Sequence, residues 1–175
     1  MNKTKKILLC ALLLTSTIVL SRILSIRTPL LTIGFSFVPI MLSAIILGWK
    51  HSTFIATMSD IVGALLFPTG SYFFGFTITS FLTGLTYGLL LHSKDEFKLD
   101  KKFIIKLIIS TIIVTGLLNG GLNTIWLLII SKNATKIIVP IRIIKQLIMA
   151  PIKIFTIIAL CKIFNEQLKK MTQSD

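Results

Sequence analysis

The chain has 175 residues, 54% of them hydrophobic and 14% charged, with a mean hydropathy of +0.90 and a formal net charge of +13. Soluble domains are about 45–50% apolar and about 25% charged, so this composition excludes a soluble fold and, with it, a basic nucleic-acid-binding face. Cys10 and Cys161 stand alone in apolar runs, which excludes a disulfide framework and a cysteine metal site.

Six apolar spans can be placed, at about 20 residues per crossing. The first runs from Lys6 to Leu24. Its basic flank resembles that of a signal peptide, but the chain beyond it stays equally apolar, so it reads as a retained helix. The second begins near Phe35 and ends at Gly48-Trp49-Lys50. The third, Thr53 to Phe67, is short and interrupted by small residues, and the fourth covers Phe74 to Leu91. The fifth, Phe103 to Ile130, is long enough to tilt or to break near Gly116 or Gly120-Gly121. The sixth, Ile138 to Phe164, carries Pro140 near its start and Pro151 inside it, where a kink is expected.

With the amino end inside, thirteen of the nineteen basic residues fall on inner segments, Lys153 among them. Six fall on outer ones: Arg22, Arg27, Lys132, Lys136, Arg142 and Lys145. That bias predicts a multi-pass protein of the cell membrane with both termini cytoplasmic. The sequence therefore reads as an all-α integral membrane protein, one six-helix domain over residues 1–175, with residues 93–102 as a polar cytoplasmic linker between the fourth and fifth helices.

The stretch Arg22 to Pro39, RILSIRTPLLTIGFSFVP, joins the first two spans and is not a simple turn. Pro29 and Pro39 lack backbone donors and break helices, and Gly34 permits unusual backbone angles. Irregular backbone at membrane depth survives only where protein covers it or where it lines a cavity. The stretch is therefore expected to fold over a polar cavity, with Thr32 among its hydroxyls and Phe35 among its rings. FPTGSYFF, residues 67–74, has the same character; both segments read either as an interfacial belt or as re-entrant outer loops capping a pocket.

Of the six acids, only Asp60 lies within a span. A carboxylate there is paired or faces a polar cavity; it reads either as a structural ion pair or as a ligand contact able to recognise an amidine-like edge. Arg22 and Arg142 approach the same outer surface and suit a carboxylate ligand, with snorkelling as the alternative; Arg27 and Lys145 are weaker candidates. Asn119, Asn123 and Trp126 are spaced four and three apart, so they share a helix face. They offer amide hydrogen bonds and a flat ring, or else serve as interhelical glue. Ala11 and Thr15 form a small-residue step on the first helix where another helix can approach. The chain carries no Walker motif, HExxH, GxSxG or paired intramembrane carboxylates, so neither an enzyme site nor an energy source is expected within it.

Three stretches together carry a resemblance: SRILSIRTPLLTIGFSFVPIML (residues 21–42), DIVGALLFPTGSYFFGFTITSFLTGLTYGLLL (residues 60–91), and LNTIWLLII (residues 122–130) followed by the Arg142 helix. In these the chain resembles the substrate-binding S components of energy-coupling factor vitamin transporters, in particular the folate-specific branch. The resemblance implies a six-helix bundle with a vitamin pocket near the outer face, lidded by the loops after the first and third helices. It implies as partners a transmembrane coupling subunit and two ATPases, and no cofactor. By their chemistry, basic residues such as Arg22 and Arg142 would suit a folate tail, and Asp60, Asn123 and an aromatic face such as Trp126 or Phe35 would suit a pterin; the resemblance itself does not fix these pairings. Ala11-x-x-x-Thr15 departs from the AxxxA pattern with which the family meets its coupling subunit. The alternatives are an S component for thiamine, riboflavin or another substrate, an intramembrane enzyme, and a membrane assembly protein.

Overall fold

The computed structural model describes residues 2–27, 32–68, 72–93, 97–130 and 135–172. Among the described residues the regular elements are helices, apart from one pair of two-residue strands. Helix α1, Lys3–Ile18, runs on into a π-helical stretch, Val19–Ile23. Strands β1, Ile26–Arg27, and β2, Thr32–Ile33, pair antiparallel. Then follow α2, Phe37–Leu47; α3, Trp49–Leu66; and α4, Phe74–Leu91. Helix α5, Lys101–Ile112, passes through a second π-helical stretch, Ile113–Leu122, into α6, Asn123–Ile130. The chain closes with α7, Thr135–Ile163, and the short α8, Asn165–Thr172.

The local chemistry explains the boundaries. Gly48 ends α2 at φ +79 and ψ −176, a conformation closed to residues with a side chain. Asp100 caps α5, its Oδ1 accepting from the Phe103 N–H at 2.8 Å. Pro39 does not break a helix, contrary to the sequence expectation. It lies in the first turn of α2, where backbone N–H groups have no intrahelical partner. The fifth span bends its hydrogen bonding where expected: the π-helical stretch covers Gly116, Gly120 and Gly121. Helix α7 continues through Pro140 and Pro151.

Among the described residues, four helices are long and apolar enough to cross a membrane: Lys3–Ile23, Phe74–Leu91, Lys101–Ile130 and Val139–Ile163. Helix α2 is apolar all round, but its 11 residues span only about 16 Å, half of a hydrocarbon core. Helix α3 is as long as α4 but is diluted by Lys50, His51 and Asp60.

Large apolar side chains cover the outside as well as the core, and hydroxyls are buried among the helices. Leu8, Leu65, Leu117, Leu147 and Phe155 stand exposed, whereas Thr17, Ser52, Thr79, Ser110 and Thr111 are buried. Helix α2 sits at the centre, with Met41, Ala44 and Ile45 fully enclosed by α1, α3, α4 and α7. The tightest contact is α3 on α4. The Ser52 hydroxyl donates to the Gly84 carbonyl at 2.8 Å, and a Cβ on Gly88 would meet the Trp49 Cα at 2.3 Å. Gly88→Ala is therefore expected to force the helices apart at a cost of about 1–3 kcal/mol. Thermal unfolding in detergent would register it as a lowered Tm. Gly116→Ala, with nothing within 4 Å of the added Cβ, serves as the control that leaves Tm unchanged.

Candidate functional site

A cavity of about 790 Å³ opens among α1, α2, α3, α4, α6 and α7. Its lining is unlike the lipid-facing surface: Arg22, Asp60, Asn119, Asn123, Arg142, Lys145, Gln146 and Lys153 all contribute to it.

Arg22 is delivered by the π-helical stretch at the end of α1. Its Nη2 lies 3.7 Å from Asp60 Oδ1 and donates to the Asp60 carbonyl at 3.4 Å. The guanidinium crosses α3 at Gly63, where an added Cβ would come within 2.6 Å of Arg22 Nε. The other carboxylate oxygen is held by α4: Thr77 Oγ1 donates to Asp60 Oδ2 at 2.7 Å, and the Tyr72 hydroxyl shares a 2.5 Å hydrogen bond with Thr77 Oγ1. Asp60 is thus fixed in place as a hydrogen-bond acceptor beside a guanidinium donor. Both side chains remain partly exposed to the cavity, at 13% for Arg22 and 21% for Asp60.

A second wall is amide and cation. Asn119 Nδ2 donates to the Val114 carbonyl at 3.0 Å, and Asn123 Nδ2 donates to Asn119 Oδ1 at 3.1 Å. Asn123 Oδ1 and Arg142 Nε are buried with no hydrogen-bond partner among the described residues. Such groups are costly unless something fills their valence. An acceptor and a cationic donor left open in a cavity wall point to a ligand carrying both complements.

The sequence candidates divide. Arg22, Asp60, Asn123 and Arg142 are brought together around the cavity, as is Lys145. Trp126 and Phe35 are not among its lining. Trp126 spends its indole N–H on Thr79 Oγ1 at 3.1 Å and lies 5.7 Å from the Phe73 ring, so it buttresses a ring that lines the cavity. Phe35 precedes α2 and is half exposed; its neighbour Phe37, one helical step inward, is buried and faces the cavity instead. The side chains of Thr32 and Arg27, and the residues Lys132 and Pro29, lie outside the described residues.

Sequence reasoning placed Lys153 among the inner-surface charges. Instead it is buried in the bundle and lines the cavity. Its spacing from Arg142 and Lys145, eleven and eight residues along one helix, was the available signal, since both steps return to the same face. Ala11 and Thr15 lie on the exposed face of α1 beside Leu8 and Leu12; the Thr15 hydroxyl is satisfied by the Ala11 carbonyl at 2.8 Å.

Comparison with known proteins agrees with this architecture. A family model described as "ECF transporter, substrate-specific component" matches residues 5–161. The folate transporter FolT of Clostridium novyi (strain NT) is 35% identical over 152 residues, covering 87% of this chain and 85% of the relative. FolT of Leuconostoc mesenteroides subsp. mesenteroides is 35% identical over 157 residues, covering 86% and 81%. A crystal structure of FolT bound with folic acid superposes with a TM-score of 0.78 at 33% identity, over 90% of this chain and 91% of that one. The S component of a bacterial ECF transporter shares the fold, with a TM-score of 0.62 at 23% identity over 93% and 99%. The chain belongs to the substrate-specific components of ECF transporters.

Proposed function

We propose that the chain is a membrane-embedded folate-binding subunit of an ECF importer, which delivers folate inward together with a transmembrane coupling subunit and two ATPases. The observation that carries this reading is the cavity's charge. Four cations and one acid line it, and the acid is shaped as a fixed acceptor beside a guanidinium. A pterin edge presents a carbonyl, a ring N–H and an amino group in a row. Asp60 accepts from the two donors and Arg22 donates to the carbonyl, a planar arrangement that suits charge-assisted hydrogen bonds. Asn123 adds an amide, and Phe73 and Phe37 supply apolar ring faces. Arg142 and Lys145 attract the carboxylates of the glutamate tail. The names of the two relatives and the folic acid bound in the similar structure support the same vitamin.

In this reading residues 1–175 form a single six-helix domain. α2 and α3 complete the bundle that the four long apolar helices begin, and both termini lie in the cytoplasm with residues 93–102 as the inner linker. The segments around the β1–β2 hairpin and the α3–α4 connection re-enter and cap the pocket, Thr32 contributing from the first of them. The Ala11–Thr15 face of α1 is the docking face for the coupling subunit.

Three outcomes test the proposal. Asp60→Asn is expected to weaken folic acid and pteroic acid alike, by roughly ten- to a hundredfold, because both ligands carry the pterin. Arg142→Ala should weaken folic acid selectively. Binding to the purified protein, read by calorimetry, distinguishes these results, and unchanged affinity in both variants rejects the site. Ala11→Leu should leave binding intact while lowering ATP-driven uptake in reconstituted vesicles; loss of binding instead would mean that the face belongs to the pocket.

A further inference from the structure

The folate reading employs Asp60, Arg22, Asn123, Arg142 and Lys145 and leaves one charged lining residue without a task. Lys153 is only 8% exposed. Its Nζ donates to Thr115 Oγ1 at 3.3 Å and lies 5.8 Å from the centroid of the Phe37 ring. A hydroxyl and a ring face are weak compensation for a buried ammonium. The one acid in the cavity lining, Asp60, is already engaged by Arg22 and Thr77, and no described carboxylate pairs with Lys153. An anionic ligand entering the cavity would supply the opposite charge that these partners do not.

Position narrows the identity of that anion. Lys153 follows Arg142 by eleven residues on the same helix, about 16 Å further along α7. Three of the basic residues on α7, Arg142, Lys145 and Lys153, line one cavity. A ladder of cations on a single wall suits an extended group with more than one carboxylate. In a pteroylglutamate that group is the glutamate tail, while the pterin belongs with Asp60 and Arg22.

We propose that Lys153 is a carboxylate-binding residue at the inner end of the pocket: it takes one carboxylate of the glutamate tail while Arg142 and Lys145 hold the other, so that the tail lies along α7. The proposal rests on the folate reading above and adds to it the residue that makes the pocket select a dianionic tail. Thr115 is the positioning residue that tethers the ammonium.

The test compares folic acid with pteroic acid, which keeps the pterin and the aminobenzoyl ring but ends in one benzoate carboxylate in place of the two carboxylates of the glutamate. Affinities are measured by calorimetry on the purified full chain at fixed ionic strength, for the wild-type chain, Lys153→Met, Lys153→Arg and Thr115→Val. Methionine keeps the length of the side chain and removes a buried charge, so Lys153→Met is expected to retain its Tm. It should weaken folic acid by at least about tenfold while leaving pteroic acid nearly unchanged, collapsing the preference between them. Lys153→Arg should retain most of that preference, and Thr115→Val should lower it partway. Equal losses for both ligands in Lys153→Met, or no loss for either, would overturn the proposal. A wild-type chain that binds neither ligand would sink the folate reading itself, a result distinct from either of these.

Discussion

The governing constraint is electrostatic: an ionised side chain inside a bilayer is tolerated only where protein or water, and not hydrocarbon, surrounds it. Four cations and an acid line one cavity here, and the arrangement of the bundle follows from housing them. The apolar side chains that a soluble protein would turn inward cover the outside. The hydroxyls buried beside the apolar core satisfy themselves on the preceding turn, as Thr17 does on Leu13 and Thr53 on Trp49, so that the scaffold itself makes few demands on the cavity. Among the described residues, Asn123 Oδ1, Arg142 Nε and the Tyr87 hydroxyl remain without a hydrogen-bond partner in the cavity wall.

Close helix contact makes the walls stiff enough to hold such groups at fixed positions. Gly84 and Gly88 let α3 and α4 approach to backbone contact, and Gly75 leaves room for the Trp126 ring, whose Cδ2 would lie 2.6 Å from an added Cβ. In lipid no hydrophobic effect drives helices together, so packing and interhelical hydrogen bonds carry the association. The Tyr72–Thr77–Asp60 chain then links the segment that precedes α4 to the acid on α3.

Much of this was legible in the sequence, because lipid imposes simple rules. The long apolar spans follow from length alone, and Asp60 stands out as the single acid among them. Arg22, Arg142 and Asn123 stand out by the same reasoning, since polar groups at that depth are expensive, and all three line the cavity. The misses share a cause: sequence spacing gives a face but not its direction. Trp126 shares a face with Asn123, yet its ring turns back onto Phe73 and Thr79. Phe35 and Phe37 differ by two positions, and only the helix start at Phe37 decides which of them is inside. Lys153 was assigned by counting charges toward the inner surface, although a lysine within a helix can equally point its ammonium into a cavity.

The two π-helical stretches explain how polar residues on long membrane helices reach the same cavity. A π turn bonds each N–H to the carbonyl five residues back; the Leu24 N–H meets the Val19 carbonyl at 2.9 Å, and the Asn123 N–H meets that of Leu118. Each wider turn rotates everything beyond it relative to an unbroken α-helix. Arg22 lies within the first stretch, while Asn119 lies within the second and Asn123 directly after it. Asn119 also uses its amide on the Val114 carbonyl, five residues back, stabilising the turn that places its neighbour. Of the glycines in that turn, only Gly120 is close-packed, an added Cβ there lying 3.1 Å from the Thr115 carbonyl oxygen. The irregularity needed to present ligand-binding groups is thus built into continuous helices, where backbone hydrogen bonds stay satisfied in lipid.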